Sequence, residues 1–344
     1  MINKYKCNNI YFFMLIILCF FVINNIVAAS ENNENELGFT YENMIPKNQI
    51  SDNEYFELKV KPGDKQTLVS RITNLTDEQL TIQIVISNAT SSPSGIINYG
   101  SSNEKLVGKK VVSIIDIIDY PSKVVLKPKE IKDIEFKLDI PKEEFDGIIL
   151  GGVQMKAINE SRNNKEDIKK EKELNSIAIK NEYSYVYSIS LIENDNEVIP
   201  ELSSQNTAYD QTAYISLNNL SARIISDLKI ETILMTEDSD KVLDEYKFEN
   251  YRMAPNSNLL LPLPNTEDLD FGKYRTKTVV TLNEKIWEFD NEFEVSNKMI
   301  EEKQNDLFDN DLKQKQISWI IFFSILLLFI LTSLGIYVFL NRRK

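Results

Sequence analysis

The chain contains no histidine. That removes Ser-His-Asp and Cys-His catalysis, together with every His-ligated zinc site. Cysteine is nearly as scarce. Both copies, Cys7 and Cys19, fall within the first 29 residues, so a chain trimmed of that stretch has neither thiols nor disulfides and stands on core packing alone. No glycine-rich phosphate loop and no acidic calcium loop of recognisable spacing occurs. Thr236–Asp240 could touch calcium through Glu237, Asp238 and Asp240, but its composition equally fits a hairpin turn. A glycosidase needs only two carboxylates, and spacing alone picks out no such pair among the many here. No catalytic residue, cofactor or metal is expected, and the reading is a binding protein.

Positive charge is also in deficit, at −13 overall. Setting aside Lys4, Lys6 and the three basic residues at the C-terminus leaves −18 on the remainder. Such a field excludes nucleic acid, and repels anionic wall polymers unless local patches or divalent cations intervene.

Two long apolar runs frame the sequence. Ile10–Ile23 follows a short basic stretch and precedes Val27-Ala28-Ala29, so residues 1–29 read as a secretory signal peptide. Ile317–Leu340 is 24 residues without a charge, enough to cross a roughly 30 Å hydrocarbon core as a helix. Arg342, Arg343 and Lys344 follow it, which keeps 341–344 in the cytoplasm and the rest outside. Leu263-Pro-Asn-Thr-Glu267 begins like a sortase signal, but Glu267 stands where glycine is required and the helix is some fifty residues away. The expected location is therefore the cell membrane, single-pass, with the ectodomain at the cell wall.

Between the runs, about 285 residues suffice for two ordinary cores. Period-two alternation recurs in Phe56, Leu58 and Val60, in Leu80–Ile86, and in Ile134, Phe136, Leu138 and Ile140. Pro62-Gly63, Asn74–Asp77 and Lys127-Pro128-Lys129 supply turns. The Gly151-Gly152 pair within Gly147–Ala157 predicts a bulge or a close backbone approach. Residues 159–172 are charged and aperiodic, after which strands resume at 177–179, Tyr183–Leu191, Ala213–Leu217, Leu228–Met235, Leu259–Leu261, Thr276–Leu282 and Ile286–Val295. Short strands without a helical period predict an all-β fold of two tandem immunoglobulin-like sandwiches. The divisions expected are 30–158 for the first domain, 159–175 for a linker, 176–296 for the second domain and 297–316 for a charged stalk. Pro255-Asn256-Ser257 precedes a strand as Pro128-Lys129 does, which hints that the two sandwiches are alike. Four Asn-x-Ser/Thr sequons begin at Asn74, Asn88, Asn159 and Asn219, and in an Asn-rich chain they read as chance matches.

Several local signatures, taken in order, resemble the WxL-interacting surface proteins of Gram-positive bacteria. They are PKNQ (Pro46–Gln49), YFELKVKPG (Tyr55–Gly63), NATSSPSGIINYG (Asn88–Gly100) and IPKEEFDGIILGGV (Ile140–Val153), then NEYSYVYSISL (Asn181–Leu191), YRMAPNSNLLLPL (Tyr251–Leu263), FGKYR (Phe271–Arg275) and WEFDNEFEV (Trp287–Val295). The resemblance implies a peptidoglycan-binding-type domain followed by a host-binding-type domain, both β-sandwiches. It also implies a partner, a secreted protein carrying a WxL cell-wall domain, and a possible host surface protein. The chain has no Trp-x-Leu of its own, which makes it the membrane-anchored companion.

The 88–100 loop is the expected contact site. Asn88, Thr90, Asn98 and Tyr99 offer amide, hydroxyl and aromatic groups suited to sugar or peptide, though Asn and Gly there also suit plain turn geometry. Tyr183, Tyr185 and Tyr187 read as core or inter-sheet packing. A non-enzymatic scaffold for WxL proteins and peptidoglycan is the leading reading. An extracytoplasmic subunit or sensor of a membrane complex, and a carboxylate-based wall hydrolase, are the alternatives.

Overall fold

The computed structural model describes residues 37–158, 183–238 and 241–296. The expected signal peptide, the 159–175 segment, the strand at 177–179, the stalk, the membrane helix and the tail lie outside the described residues, as does Asp240. Among the described residues no helix is long and apolar enough to cross a membrane.

Alternation builds the first sandwich. In β3 (Lys65–Asn74) from Leu68 onward, and in β9 (Ile131–Asp139) from Ile134 onward, every second side chain is buried, so each strand gives one face to the core and one to water. These two pair with each other, with β1 (Phe39–Met44) on one side and the short β7 (Ile118–Asp119) on the other. The facing sheet runs β2 (Phe56–Lys59), β11 (Tyr185–Ile192), β10 (Ile148–Ile158), β4 (Leu80–Asn88), β8 (Lys123–Leu126). Phe39, Phe56, Phe136, Leu68, Ile82 and Met155 fill the space between the sheets and are fully buried. Each contributes about 1.5–3 kcal/mol of transfer free energy.

One expected boundary needs correction. Tyr183–Leu191 reads from sequence as a strand of the second domain, expected at 176–296. In the structure β11 pairs antiparallel with β10 and parallel with β2, inside the first sandwich. Tyr187 points into that core, where its hydroxyl meets Ser70 of the opposite sheet at 2.8 Å and its ring stacks on Tyr41. The charge run after β10 says only that those residues favour water. It says nothing of which strands they join. The crossing to the second sandwich falls instead between β11 and β12.

The second sandwich packs the sheet β12 (Leu202–Tyr209), β13 (Ala213–Asn219), β16 (Asn258–Pro262) against β15 (Val242–Met253), β14 (Ile225–Thr236), β17 (Gly272–Leu282), β18 (Lys285–Val295). Its pairings repeat those of the first in chain order. β12–β13, β13–β16, β14–β15, β14–β17 and β17–β18 correspond to β1–β3, β3–β9, β4–β8, β4–β10 and β10–β11. In this correspondence β11 is the counterpart of β18, which explains why it completes the first domain.

The likeness extends to single atoms. Asn74 closes β3 and Asn219 closes β13, each with no exposed surface. Asn74 Oδ1 accepts from the backbone N–H and hydroxyl of Thr76, while Nδ2 donates to the carbonyls of Glu78 and Lys127 at 2.8 Å. Asn219 Oδ1 accepts from the N–H and hydroxyl of Ser221, and Nδ2 donates to Arg223 and Ala254 at 2.8 Å. Lys127 and Ala254 both precede proline, and the residue after each proline, Lys129 or Asn256, has positive φ. The Asn-Leu-Thr and Asn-Leu-Ser sequons are thus one structural device used twice, locking a strand end to the turn that opens the neighbouring strand.

Candidate binding surface at the junction of the sandwiches

Beyond β4 the chain leaves the sheet as a small hairpin, β5 (Thr90–Ser91) and β6 (Ile97–Asn98), closed by a turn at Ser92–Gly95. The four residues singled out from sequence take different positions on it. Asn88 faces the core side, 7% exposed, where its Oδ1 accepts from the Ile114 N–H at 3.0 Å and its Nδ2 donates to Ser113 Oγ at 3.0 Å. Thr90 is buried and lies 3.5 Å from Asn98 Nδ2. Asn98 is exposed and turns the chain, its Oδ1 accepting from the Gly100 N–H at 2.9 Å. Tyr99 is half-buried.

The glycine pair decides where this hairpin lies. β10 runs past β4 and β11 in unbroken register, so the pair is a close approach and not a bulge. It is a close approach on both faces. A β-carbon at Gly151 would stand 2.5 Å from the Ile114 side chain on the core side. One at Gly152 would stand 1.9 Å from the Tyr99 carbonyl oxygen on the outer side. Ser87 Oγ donates to the Gly100 carbonyl, and Gln154 Oε1 accepts from the Ser101 N–H, holding the returning chain flat on the sheet.

The other side of the hairpin meets the second sandwich. Gly95, at φ +80, has the Tyr251 ring so close that a β-carbon would be 2.8 Å from it. Tyr251 hydroxyl donates to the Pro93 carbonyl, and the Arg252 N–H to the Gly95 carbonyl. Ser91 Oγ accepts from the Ala254 N–H at 3.0 Å and meets Ser257 Oγ. Asn256 exchanges hydrogen bonds with Val107 through both its backbone and its side chain. A separate apolar cluster of Ala89, Ile97, Leu150 and Ala254 fills the gap, and the Ile148 N–H donates to the Ala222 carbonyl at 2.8 Å. Pro255-Asn256-Ser257 is therefore a turn and also the seat of this joint.

Gly147 lies at the same joint with φ +81, and its missing β-carbon would fall 2.0 Å from the Ala222 carbonyl. Gly147→Ala is expected to pry the sandwiches apart while sparing both cores. Calorimetry should then resolve two melting steps where the parent shows one. A single step at the parental temperature would contradict it.

The outer face of the first sandwich around this joint is aromatic and polar. Since Phe56 points inward, its neighbours Tyr55 and Glu57 point outward, and β11 sets Ser188 and Ser190 beside them. Tyr55 is 38% exposed, and its hydroxyl accepts from Asn53 Nδ2 at 2.7 Å. Burial raises the Tyr99 phenol above its ordinary pKa, the Arg252 charge pulls it the other way, and Tyr55 adds to the rise. Arg252 comes from the second sandwich and is exposed, with no side-chain partner among the described residues. Alternation could have flagged Tyr55 from the sequence. Nothing local could have flagged Arg252, which arrives from 153 positions beyond Tyr99.

Elsewhere, a cleft of about 580 Å³ opens between β8 and β9, lined by Lys123, Lys132 and Lys137 with Asp119, Asp133 and Glu135. Asp133 is held below the usual carboxylate range by its paired contact with Arg71, which suits a fixed charge and not a proton donor. No group of three or more potential metal ligands occurs among the described residues.

A family model for the WxL Interacting Protein peptidoglycan binding domain matches residues 39–157, and one for the WxL Interacting Protein host binding domain matches 174–305. The second match starts ahead of β11, although that strand lies in the first sandwich. No curated protein matches the chain. Among solved structures, it is similar to the ASH/PapD-like domain 7 of human CEP192, at 8% identity over 50% of this chain and 97% of that one, with a TM-score of 0.28. It is also similar to the class 5 fimbriae chaperone CfaA, at 14% identity, 73% and 99% coverage and a TM-score of 0.27. The E. coli chaperone DraB gives 13%, 75% and 97%, with a TM-score of 0.25.

Proposed function

The chain belongs to the WxL-interacting protein family, and from that premise we propose that it is a non-enzymatic surface scaffold holding WxL-domain proteins and wall peptidoglycan near the membrane. The observation that carries this reading is the ordered match of two domain types, peptidoglycan-binding then host-binding, across both sandwiches. A joint of hydrogen bonds and apolar packing supports it further. Two modules clasped this way present their ligands at a fixed separation, as a scaffold requires. Ile317–Leu340 is the proposed retained anchor, with the sandwiches outside. A host surface protein is the proposed ligand of the second.

The full chain in mild detergent should sediment with purified peptidoglycan and capture a WxL-domain protein from a cell-surface extract. Alkaline carbonate should leave it in the membrane pellet. Failure to sediment and failure to capture would together remove the scaffold reading. Release into the carbonate supernatant would remove the anchor alone. Cleared zones on wall zymograms would replace the scaffold with a hydrolase.

A further inference from the structure

We infer that Tyr55, Tyr99 and Arg252 form one composite site for an anionic glycopeptide, in which the first sandwich supplies the rings and the second the cation. The inference rests on the wall-binding reading above and gives it a place and a chemistry.

The argument begins with charge. A chain at −13 can hold a carboxylate-bearing ligand only where a local cation is free to meet it. Many of its basic side chains are engaged. Lys59, Lys65, Arg71, Lys129, Lys229 and Arg275 each face a carboxylate within 4 Å. Arg252 faces none among the described residues, and its backbone is fixed by its own bond to Gly95 and by the adjacent Tyr251 clasp. The planar guanidinium matches a carboxylate through two parallel bonds, which a lysine ammonium does not.

The second element is the platform. Tyr99 is pinned because its backbone rests on Gly152, and Tyr55 is pinned because its hydroxyl is held by Asn53. Phenol rings fixed at one edge offer an apolar face with a polar rim, the surface that a sugar ring with its alternating C–H and O–H groups can cover. Ser188 and Ser190, on the same sheet face beside Tyr55, are buried and underlie the platform, and Asn98 leads into Tyr99 from the exposed edge. Glu57 flanks Tyr55 and is within 3.4 Å of Asn53 Nδ2. Its charge disfavours a second carboxylate at that end, so the ligand's acid is directed to Arg252. Asn88 and Thr90 serve the site indirectly, by shaping the hairpin from within.

Sedimentation of the full chain with purified peptidoglycan tests this, using native wall and wall whose carboxyls have been amidated. Arg252→Gln, an exposed change that should leave the melting temperature unmoved, is expected to weaken retention on native wall about tenfold or more. Amidated wall should retain the parent and Arg252→Gln equally. Tyr99→Leu and Tyr55→Ala should weaken retention on both walls, because the platform contact does not need the acid. Parental retention with all three variants unchanged would overturn the site while leaving wall binding intact. Loss in the tyrosine variants alone would overturn the cation's role. No retention of the parent would remove the wall-binding reading and the site with it.

Discussion

Replacing Asn219 with alanine is expected to destabilise the protein by about 3 kcal/mol or more, an unusually large effect for a small polar side chain. The reason is completeness. All four hydrogen-bonding positions of that amide are used, and the residue has no exposed surface. Removal leaves the Arg223 carbonyl and the Ser221 N–H without their partner in a space too closed for easy hydration, each orphan costing about 1–3 kcal/mol, and leaves the Ala254 carbonyl with Ser257 Oγ in place of two donors. Asn74→Ala should behave alike in the first sandwich, since its four bonds are of the same kind. Asn→Asp at either site should be no milder than alanine, because a carboxylate would face two carbonyl oxygens where the amide donated. Urea midpoints at constant slope provide the measurement. A loss below about 0.5 kcal/mol, typical of a surface change, would refute the account. Only the Asn219 variant should also loosen the joint, for Ala254 belongs to the apolar cluster there and its counterpart Lys127 is exposed and outside that cluster.

Gly152→Ala should be comparably severe and should strike stability and wall retention together. A β-carbon 1.9 Å from a backbone oxygen cannot be accommodated by rotating a side chain. Either β10 must shift against β4 and β11, or the returning hairpin must lift. Overpacking of this kind costs about 1–3 kcal/mol and more where backbone is the obstacle. Lifting the hairpin would carry Tyr99 off the platform and strain the contacts to Tyr251 and Ser257. The expected result is a lowered melting temperature together with reduced sedimentation on peptidoglycan. A β-carbon at Gly100 would find its nearest neighbour, Asn98 Oδ1, at 3.2 Å, and Gly100→Ala supplies the mild comparison. If the two variants behaved alike, the close approach at Gly152 would not be what holds the hairpin.

Much of this fold was legible wherever one strand could speak for itself. The alternation in Ile134, Phe136 and Leu138 named a core face that the structure confirms. The proline echo at Pro128 and Pro255 pointed to the duplicated turn, and of the two readings of the glycine pair, bulge or close approach, the structure shows the second. What resisted reading was pairing at a distance. Tyr185–Ile192 carries the same alternation in either domain, so only the register with β10 could assign it. Of the proposed contact residues, Asn98 and Tyr99 lie at the surface and Asn88 and Thr90 within it. Local sequence could not separate them, because Asn88, for one, is turned inward by Ser113 and Ile114, which come from a later segment. Tyr251 and Arg252 were invisible for the same reason. Their partner segment is more than 150 positions away.

The placement of β11 also fixes when the first sandwich can exist. β11 lies between β2 and β10, and β2 has no other strand neighbour in its sheet. A chain emerging from its N-terminus must therefore deliver residue 192 before that sheet can close. Until then the half-made domain exposes the open edge of β10 and a β2 bridged only to the segment at 48–50, the surfaces that invite wrong pairing. A fragment ending at residue 157 would remain in that state permanently. The unit that folds is thus longer than the unit a domain boundary drawn there would cut.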